Sequence, residues 1–210
     1  MKRVVLSLGV LVMLVSCGGN TEAVEAKSVT VADNHEEKVE TAVVYQVSTE
    51  ETTVSWKGTK LTGEHHGVVS VSNGSVSVEG DAVVAAELTI DMSTIQELDQ
   101  DDTEMAAKLV GHLMSADFFK VDSFPTATIK VTAIEAGKAS ADLTIKGITK
   151  AIEFPVTVSL VEGIVSVNAD FTINRTDWGI VYGSGSFMDL AKDKTIDDNI
   201  SFSVALTAKK

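Results

Sequence analysis

Two adjacent histidines, one isolated histidine and one arginine-bearing corner hold most of the chemistry this chain could do. His65 and His66 are neighbours, His112 stands apart, and Asn174-Arg175-Thr176-Asp177-Trp178-Gly179 puts a cation, an acid and an indole into one short stretch. Neighbours in an extended chain face opposite sides, so His65 and His66 cannot readily chelate one metal. The four histidines show no ligand-type spacing, and neither a metal nor another cofactor is expected. His66 and His112 are candidate hydrogen-bonding contacts to a ligand head group. The competing reading makes each a core histidine whose ring N–H meets a backbone carbonyl. Arg175 and Asp177 lie two apart, so in an extended corner they share a face and form an ion pair or a corner hydrogen-bond network under Trp178. Alternatively the planar fork of Arg175 meets an anionic head group. Tyr182 is a weaker candidate of the same kind.

Catalytic constellations are missing from the sequence. There is no Gly-x-Ser-x-Gly elbow and no His-Glu-x-x-His pair. Gly183-Ser184-Gly185-Ser186 has no following Lys-Ser/Thr and is not a phosphate loop. Asp101-Asp102 and Asp197-Asp198 fall in loop-like sequence, where solvation accounts for them. The expectation is a binding protein, not an enzyme. The formal charge of −13 and pI near 4.6 exclude nucleic acid as a partner, because phosphate recognition needs a basic surface. They also argue against loose adsorption to anionic membranes.

The N-terminus reads MKRVVLSLGVLVMLVSC. Lys2 and Arg3 precede a short apolar run, which fits a secretory leader over residues 1–16. Leu14-Val15-Ser16-Cys17 matches the bacterial lipobox, and Cys17 is the single cysteine of the chain. Lipidation of Cys17 and anchorage to a membrane are therefore expected. Residues 17–42 carry Glu36, Glu37 and Glu40 with no sustained period, and read as an acidic tether. The absence of Asp after Cys17 favours the outer membrane, on its periplasmic side. The folded domain is expected over 43–210.

That domain must be built of strands. In Ile164 to Asn174, Val165, Val167, Ala169, Phe171 and Ile173 alternate with polar residues, giving one dry face and one wet face. Similar alternation marks Val84 to Ile90, Ala127 to Ala133, Ala139 to Ile145, Ile152 to Leu160 and Ile200 to Ala208. Asn73-Gly74 between two strand-like runs predicts a hairpin. Pro155 must sit at an edge or bulge, where its missing N–H is tolerated. One helix is expected, capped by Asp102 or Thr103, with Met105, Leu109, His112, Leu113 and Ala116 on one face. Nothing alternates strand with helix, so a single antiparallel barrel or sandwich is expected. A barrel of about eight strands can just hold a small ligand.

Several stretches, in order, carry a resemblance. They are Trp56-Lys57-Gly58 with His65-His66-Gly67, Ile90-Asp91-Met92-Ser93, Gly111 to Phe119, Phe124-Pro125, Leu143 to Lys150, and Asn174 to Gly179. Together they resemble the YceI-like family of exported, lipocalin-like proteins, from about Tyr45 to Ala208. The resemblance implies an all-β, antiparallel eight-stranded barrel with one short flanking helix. It implies an apolar tunnel for polyisoprenoid, quinone or similar chains, and binding or carriage in place of catalysis. The ligand-contact candidates are then His66, His112, Arg175, Trp178, Tyr182 and Phe171. The expected partners are an apolar, isoprenoid-like lipid and the membrane through Cys17, with a homodimer as a further state the sequence allows. The alternative is a barrel plugged by Phe154, Phe171 and Phe202 that displays a surface to an envelope partner.

Overall fold

The alternating runs become ten strand segments and one α-helix in the computed structural model, which describes residues 41–210. The expected leader, Cys17 and nearly all of the tether lie outside the described residues. The strands are β1 (Val43–Val47), β2 (Thr53–Lys60), β3 (Gly63–Glu79), β4 (Ala82–Glu97), β5 (Thr126–Glu135), β6 (Lys138–Ile145), β7 (Ile148–Pro155), β8 (Thr157–Val161), β9 (Ile164–Asn174) and β10 (Ile196–Lys209). Helix α1 (Thr103–Met114) lies between β4 and β5.

All the strand ladders are antiparallel, and the ten segments fill eight places in the sheet. β1 and β2 share one place between β3 and β10. β2 pairs with the first half of β3 (Trp56 opposite Gly67), and β1 pairs with its second half (Tyr45 opposite Val76). β7 and β8 share another place. β7 pairs with β6 (Phe154 opposite Ala139), and β8 pairs with β9 (Val158 opposite Val167). The chain therefore changes partner at Pro155-Val156 and links the two ends of the sheet. Pro155 has no N–H to donate at the switch, and the Val156 N–H donates to the Gly137 carbonyl at 2.8 Å. The result is the expected lipocalin-like barrel of eight strand positions.

The hairpin expected at Asn73-Gly74 does not form. β3 runs through it, with a register shift between Val71 and Asn73 that marks a bulge. The glycine serves close packing there. A Cβ on Gly74 would lie 2.6 Å from Leu88 Cδ2, 2.9 Å from the Glu87 carbonyl oxygen and 2.9 Å from Val47 Cγ2. The turn between β3 and β4 falls instead at Gly80, whose φ of 58° suits glycine.

The helix starts where expected. The Asp102 side chain accepts from the N–H groups of Glu104 (2.9 Å) and Met105 (3.2 Å). Its inner face is narrower than the sequence pattern suggests. Leu113 is buried and Leu109 and His112 are partly so, but Met105 is half exposed, and Ala116 lies beyond the helix end, also exposed.

Gly74→Ala should destabilise the domain by about 2 kcal/mol, the cost of overpacking a tight site. Gly58→Ala, where an added methyl meets nothing within 4 Å, should change stability by less than ~0.5 kcal/mol. Urea unfolding midpoints measure the difference.

Candidate functional site

Inward positions of the strands enclose a cavity of about 300 Å³. Its wall is almost wholly apolar because the dry faces of β4, β5, β9 and β10 all point into it. Small residues leave the room: Ala86, Ala127, Ala139 and Ala169 sit where larger side chains would meet across the bore. At one end the lining residues Val83, Ala139, Val156 and Leu206 are buried. At the other end Lys60, Gly63 and Asp197 are exposed, so the cavity opens there. Leu109, His112 and Leu113 of α1 line the same open end.

Phe154, Phe171 and Phe202 all line the cavity. Phe171 is opposite Phe202 in the β9–β10 ladder, and the rings stack at 5.5 Å between centroids. Phe154 stacks on the other side of Phe171 at 4.7 Å. The three occupy neighbouring strand places, so they pave one stretch of wall and leave the cavity open.

The adjacent histidines divide as strand geometry requires. His65 lines the cavity, while His66 lies on the outer face with its side chain half exposed. Both reach the same acid. His65 Nδ1 is 3.0 Å from Asp99 Oδ2, and the His66 backbone N–H donates to Asp99 Oδ1 at 2.6 Å. Partial burial works against ionisation of Asp99, but the His66 N–H, with Glu97 and His65 adding to it, holds the carboxyl below its ordinary value. His65, Glu97 and Asp99 each offer one ligand atom within 4.8 Å of the others, a donor set that could hold a divalent cation. No local spacing announced it, because Asp99 is 34 residues from His65.

The corner after β9 is not extended. Arg175–Trp178 form a 3-10 turn, capped by Asn174 at its start and closed by Gly179 at φ 69°. The turn separates Arg175 from Asp177, so of the two structural readings the ion pair does not form and the corner hydrogen-bond network does. Arg175 is fully buried and Asp177 is exposed. All five N–H donors of Arg175 are engaged by the protein. Nε donates to the Asp197 carbonyl at 3.0 Å, and Nη1 to the carbonyls of Ile180 (2.7 Å) and Tyr182 (2.9 Å). Nη2 donates to the Ile196 carbonyl at 3.2 Å and to Asp198 Oδ1 at 3.4 Å. Its guanidinium also lies 5.5 Å from the centroid of the Phe118 ring. The group touches the cavity wall but has no N–H left for an anionic head group.

Trp178 is a plug beneath this corner. It is 2% exposed and its Nε1–H donates to the Leu143 carbonyl at 3.2 Å. Tyr182 is partly exposed and packs edge-on against His112, with 4.6 Å between ring centroids. Of the six sequence candidates, His112, Phe171 and Arg175 border the cavity, and His66, Trp178 and Tyr182 do not. Sequence reasoning passed over Trp56, which lines the cavity wall. Its place in the alternation of β2 with Val54 was the available signal.

A family model described as a YceI-like domain matches residues 45–208. A UPF0312 protein of Staphylococcus aureus strain N315 is 33% identical over 163 residues, covering 67% of this chain and 89% of the relative. Its counterpart in strain USA300 is 34% identical over the same length and coverage. Among solved structures, BcnA of Burkholderia cenocepacia superposes with a TM-score of 0.63 at 22% identity, covering 78% of this chain and 99% of that one. A polyisoprenoid binding domain from Saccharophagus degradans, implicated in plant cell wall breakdown, gives 0.57 at 16% identity, with 79% and 97% covered. At such identities these two structures speak for the fold alone.

Arg175→Lys should cost about 3–5 kcal/mol in denaturant unfolding, because buried carbonyls lose partners that a single ammonium cannot replace. Burial opposes the ionisation of Asp198, but hydrogen bonds from Ser184 and Ser186 and the charge of Arg175 leave its pKa lowered. A lowered folded pKa stabilises the fold above the ordinary carboxylate range of about 4, and that stability drains as pH falls below it. Asp198→Asn should flatten this acid limb of the melting temperature against pH.

Proposed function

The chain belongs to the YceI-like family, and we propose that it binds and carries a long apolar lipid of the polyisoprenoid or quinone type. The observation that carries the reading is the cavity, about 300 Å³, apolar along its wall and open at one end. Burying each CH₂ of a guest contributes roughly 0.8 kcal/mol, so a few isoprene units suffice for binding before ordering costs. The polyisoprenoid binding domain from Saccharophagus degradans shares the fold and lends the ligand class. A barrel filled by its own phenylalanines is the weaker reading, since the Phe154, Phe171 and Phe202 rings stack along the wall.

The proposal extends to the envelope. Cys17, lipidated after removal of residues 1–16, would anchor the domain, on the periplasmic side of an outer membrane. The stretch from Cys17 to Val43 can span at most ~90 Å. Loops at the open end carry the exposed apolar residues Leu61, Leu98, Phe187 and Met188, which suits loading from a bilayer surface.

Purified protein, stripped of lipid and re-exposed to an envelope extract, should take up one apolar chain per barrel in native mass spectrometry. Failure of any lipid to bind overturns the reading. Ala169→Phe adds a ring inside the cavity and should lower uptake by about tenfold or more while the domain still unfolds cooperatively. Cys17→Ser should move the protein from the membrane to the soluble fraction of fractionated cells. A variant that stays membrane-bound removes the anchor proposal and leaves the lipid reading in place.

A further inference from the structure

The ladder between β3 and β4 pairs Gly67 with Glu97. The Leu98 N–H donates to the His66 carbonyl at 2.9 Å, so the register runs on past the end of β4. One step further it sets Asp99 opposite His65. Residues directly opposite in a ladder, and residues two apart along a strand, project to the same side. His65, Glu97 and Asp99 therefore share one side of the sheet. Gly67 completes that square and has no side chain to stand between them. Each of the three offers one ligand atom, and these atoms lie within 4.8 Å of one another.

Backbone N–H groups hold each carboxylate by one oxygen. The Asp99 N–H donates to Glu97 Oε1 at 2.7 Å, and the His66 N–H donates to Asp99 Oδ1 at 2.6 Å. The second oxygens are the available ones. Asp99 Oδ2 lies 3.0 Å from His65 Nδ1. Glu97 Oε2 is buried and has no hydrogen-bond partner among the described residues. An unpaired carboxylate oxygen out of water carries a desolvation cost that a cation beside it relieves. Among the described residues no lysine or arginine pairs with either acid, and the bases that pair with Asp99 are His65 and His66. The His65 and Asp99 side chains keep 34% and 19% of their surface in solvent, so an ion reaches the cluster from outside the tunnel.

The donor set selects the ion. Calcium and magnesium take six or more oxygen ligands, and an imidazole nitrogen suits neither. Zinc accepts imidazole nitrogen and carboxylate oxygen at about 2.0–2.2 Å in a four-coordinate shell, which puts its ligand atoms about 3.3 Å apart. The cluster closes on such a shell by side-chain adjustment alone. The two backbone N–H bonds orient the carboxylates, as outer partners do around bound metals. We infer that His65 Nδ1, Asp99 Oδ2 and Glu97 Oε2 bind one zinc-like divalent cation beside the mouth of the barrel, with water as the fourth ligand. The ion takes the place of the proton between His65 Nδ1 and Asp99 Oδ2, and the neutral ring carries its proton on Nε2. Its charge offsets both carboxylates, and it ties β3 to the segment that leads from β4 into α1. The inference stands apart from the lipid-carrier reading and holds whether or not the tunnel is loaded.

The test is calorimetric titration of the full chain, stripped with EDTA and then freed of it, with zinc, calcium and magnesium chlorides. One zinc ion should bind per chain, at least ~100-fold tighter than calcium or magnesium. His65→Ala, Glu97→Gln and Asp99→Asn should each weaken zinc at least ~10-fold. Asp101→Asn removes an exposed acid outside the cluster and should leave zinc binding unchanged. His35→Ala, outside the described residues, should leave it unchanged too. X-ray absorption at the zinc edge of the native chain should show nitrogen and oxygen ligands at about 2.0–2.2 Å and no sulfur. Absence of zinc binding, calcium or magnesium bound as tightly as zinc, or full affinity retained in the three cluster variants would each overturn the inference. An equal loss in Asp101→Asn or His35→Ala, or a sulfur ligand from Cys17, places the ion elsewhere and overturns it as well. Should a variant fail to fold, the ranking of ions and the absorption spectrum of the native chain decide alone.

Discussion

A strand with an unpaired edge leaves a row of backbone N–H and C=O groups without partners, and closing the sheet on itself removes that liability. This chain closes with ten segments in eight places. Two places are shared by half-strands, β1 with β2 and β7 with β8. The switch at Pro155-Val156 is the decisive one, because β7 there leaves β6 behind and β8 takes up β9. A proline suits the only kind of position where a ladder donor is not needed. The enclosed cavity, its single open end and the clustering of polar groups at that end all follow from this closure.

At the open end the one buried cation among the described residues is committed to the architecture. Arg175 ties together the carbonyls of Ile180, Tyr182, Ile196 and Asp197, so the loop between β9 and β10 is pinned to the corner that ends β9. Asp198 faces the guanidinium and also accepts the Ser186 hydroxyl at 2.6 Å. A guanidinium held by five acceptors is a structural fastener. The same commitment leaves the cavity with an almost wholly apolar wall.

Composition contributes to this outcome. The domain is poor in aromatics and rich in alanine and valine, and the inward alanines on β4, β5, β6 and β9 keep the bore from filling. The three phenylalanines that could have blocked it lie on neighbouring strand places and stack with each other. Whether large side chains plug a barrel or pave it depends on that lateral placement, which ladder register sets.

The sequence by itself determined the strands, because alternation of apolar and polar residues is a local property with a period of two. β9 runs from Ile164 to Asn174 as its pattern requires, α1 begins at the Asp102 cap, and Pro155 falls at a break. The ordered motifs were also legible, and with them the family and the barrel. Local signals misled where packing overruled them. Asn73-Gly74 became a bulge because Leu88 and Val47 crowd the glycine, and the Arg175 corner coiled into a 3-10 turn that sent Asp177 to solvent. The site was the part that only tertiary structure could decide. His65 and Asp99, and Arg175 and Asp198, each meet across tens of residues, through strand register and barrel closure. Pairings of that kind depend on which strands become neighbours, and no periodicity along the chain records it.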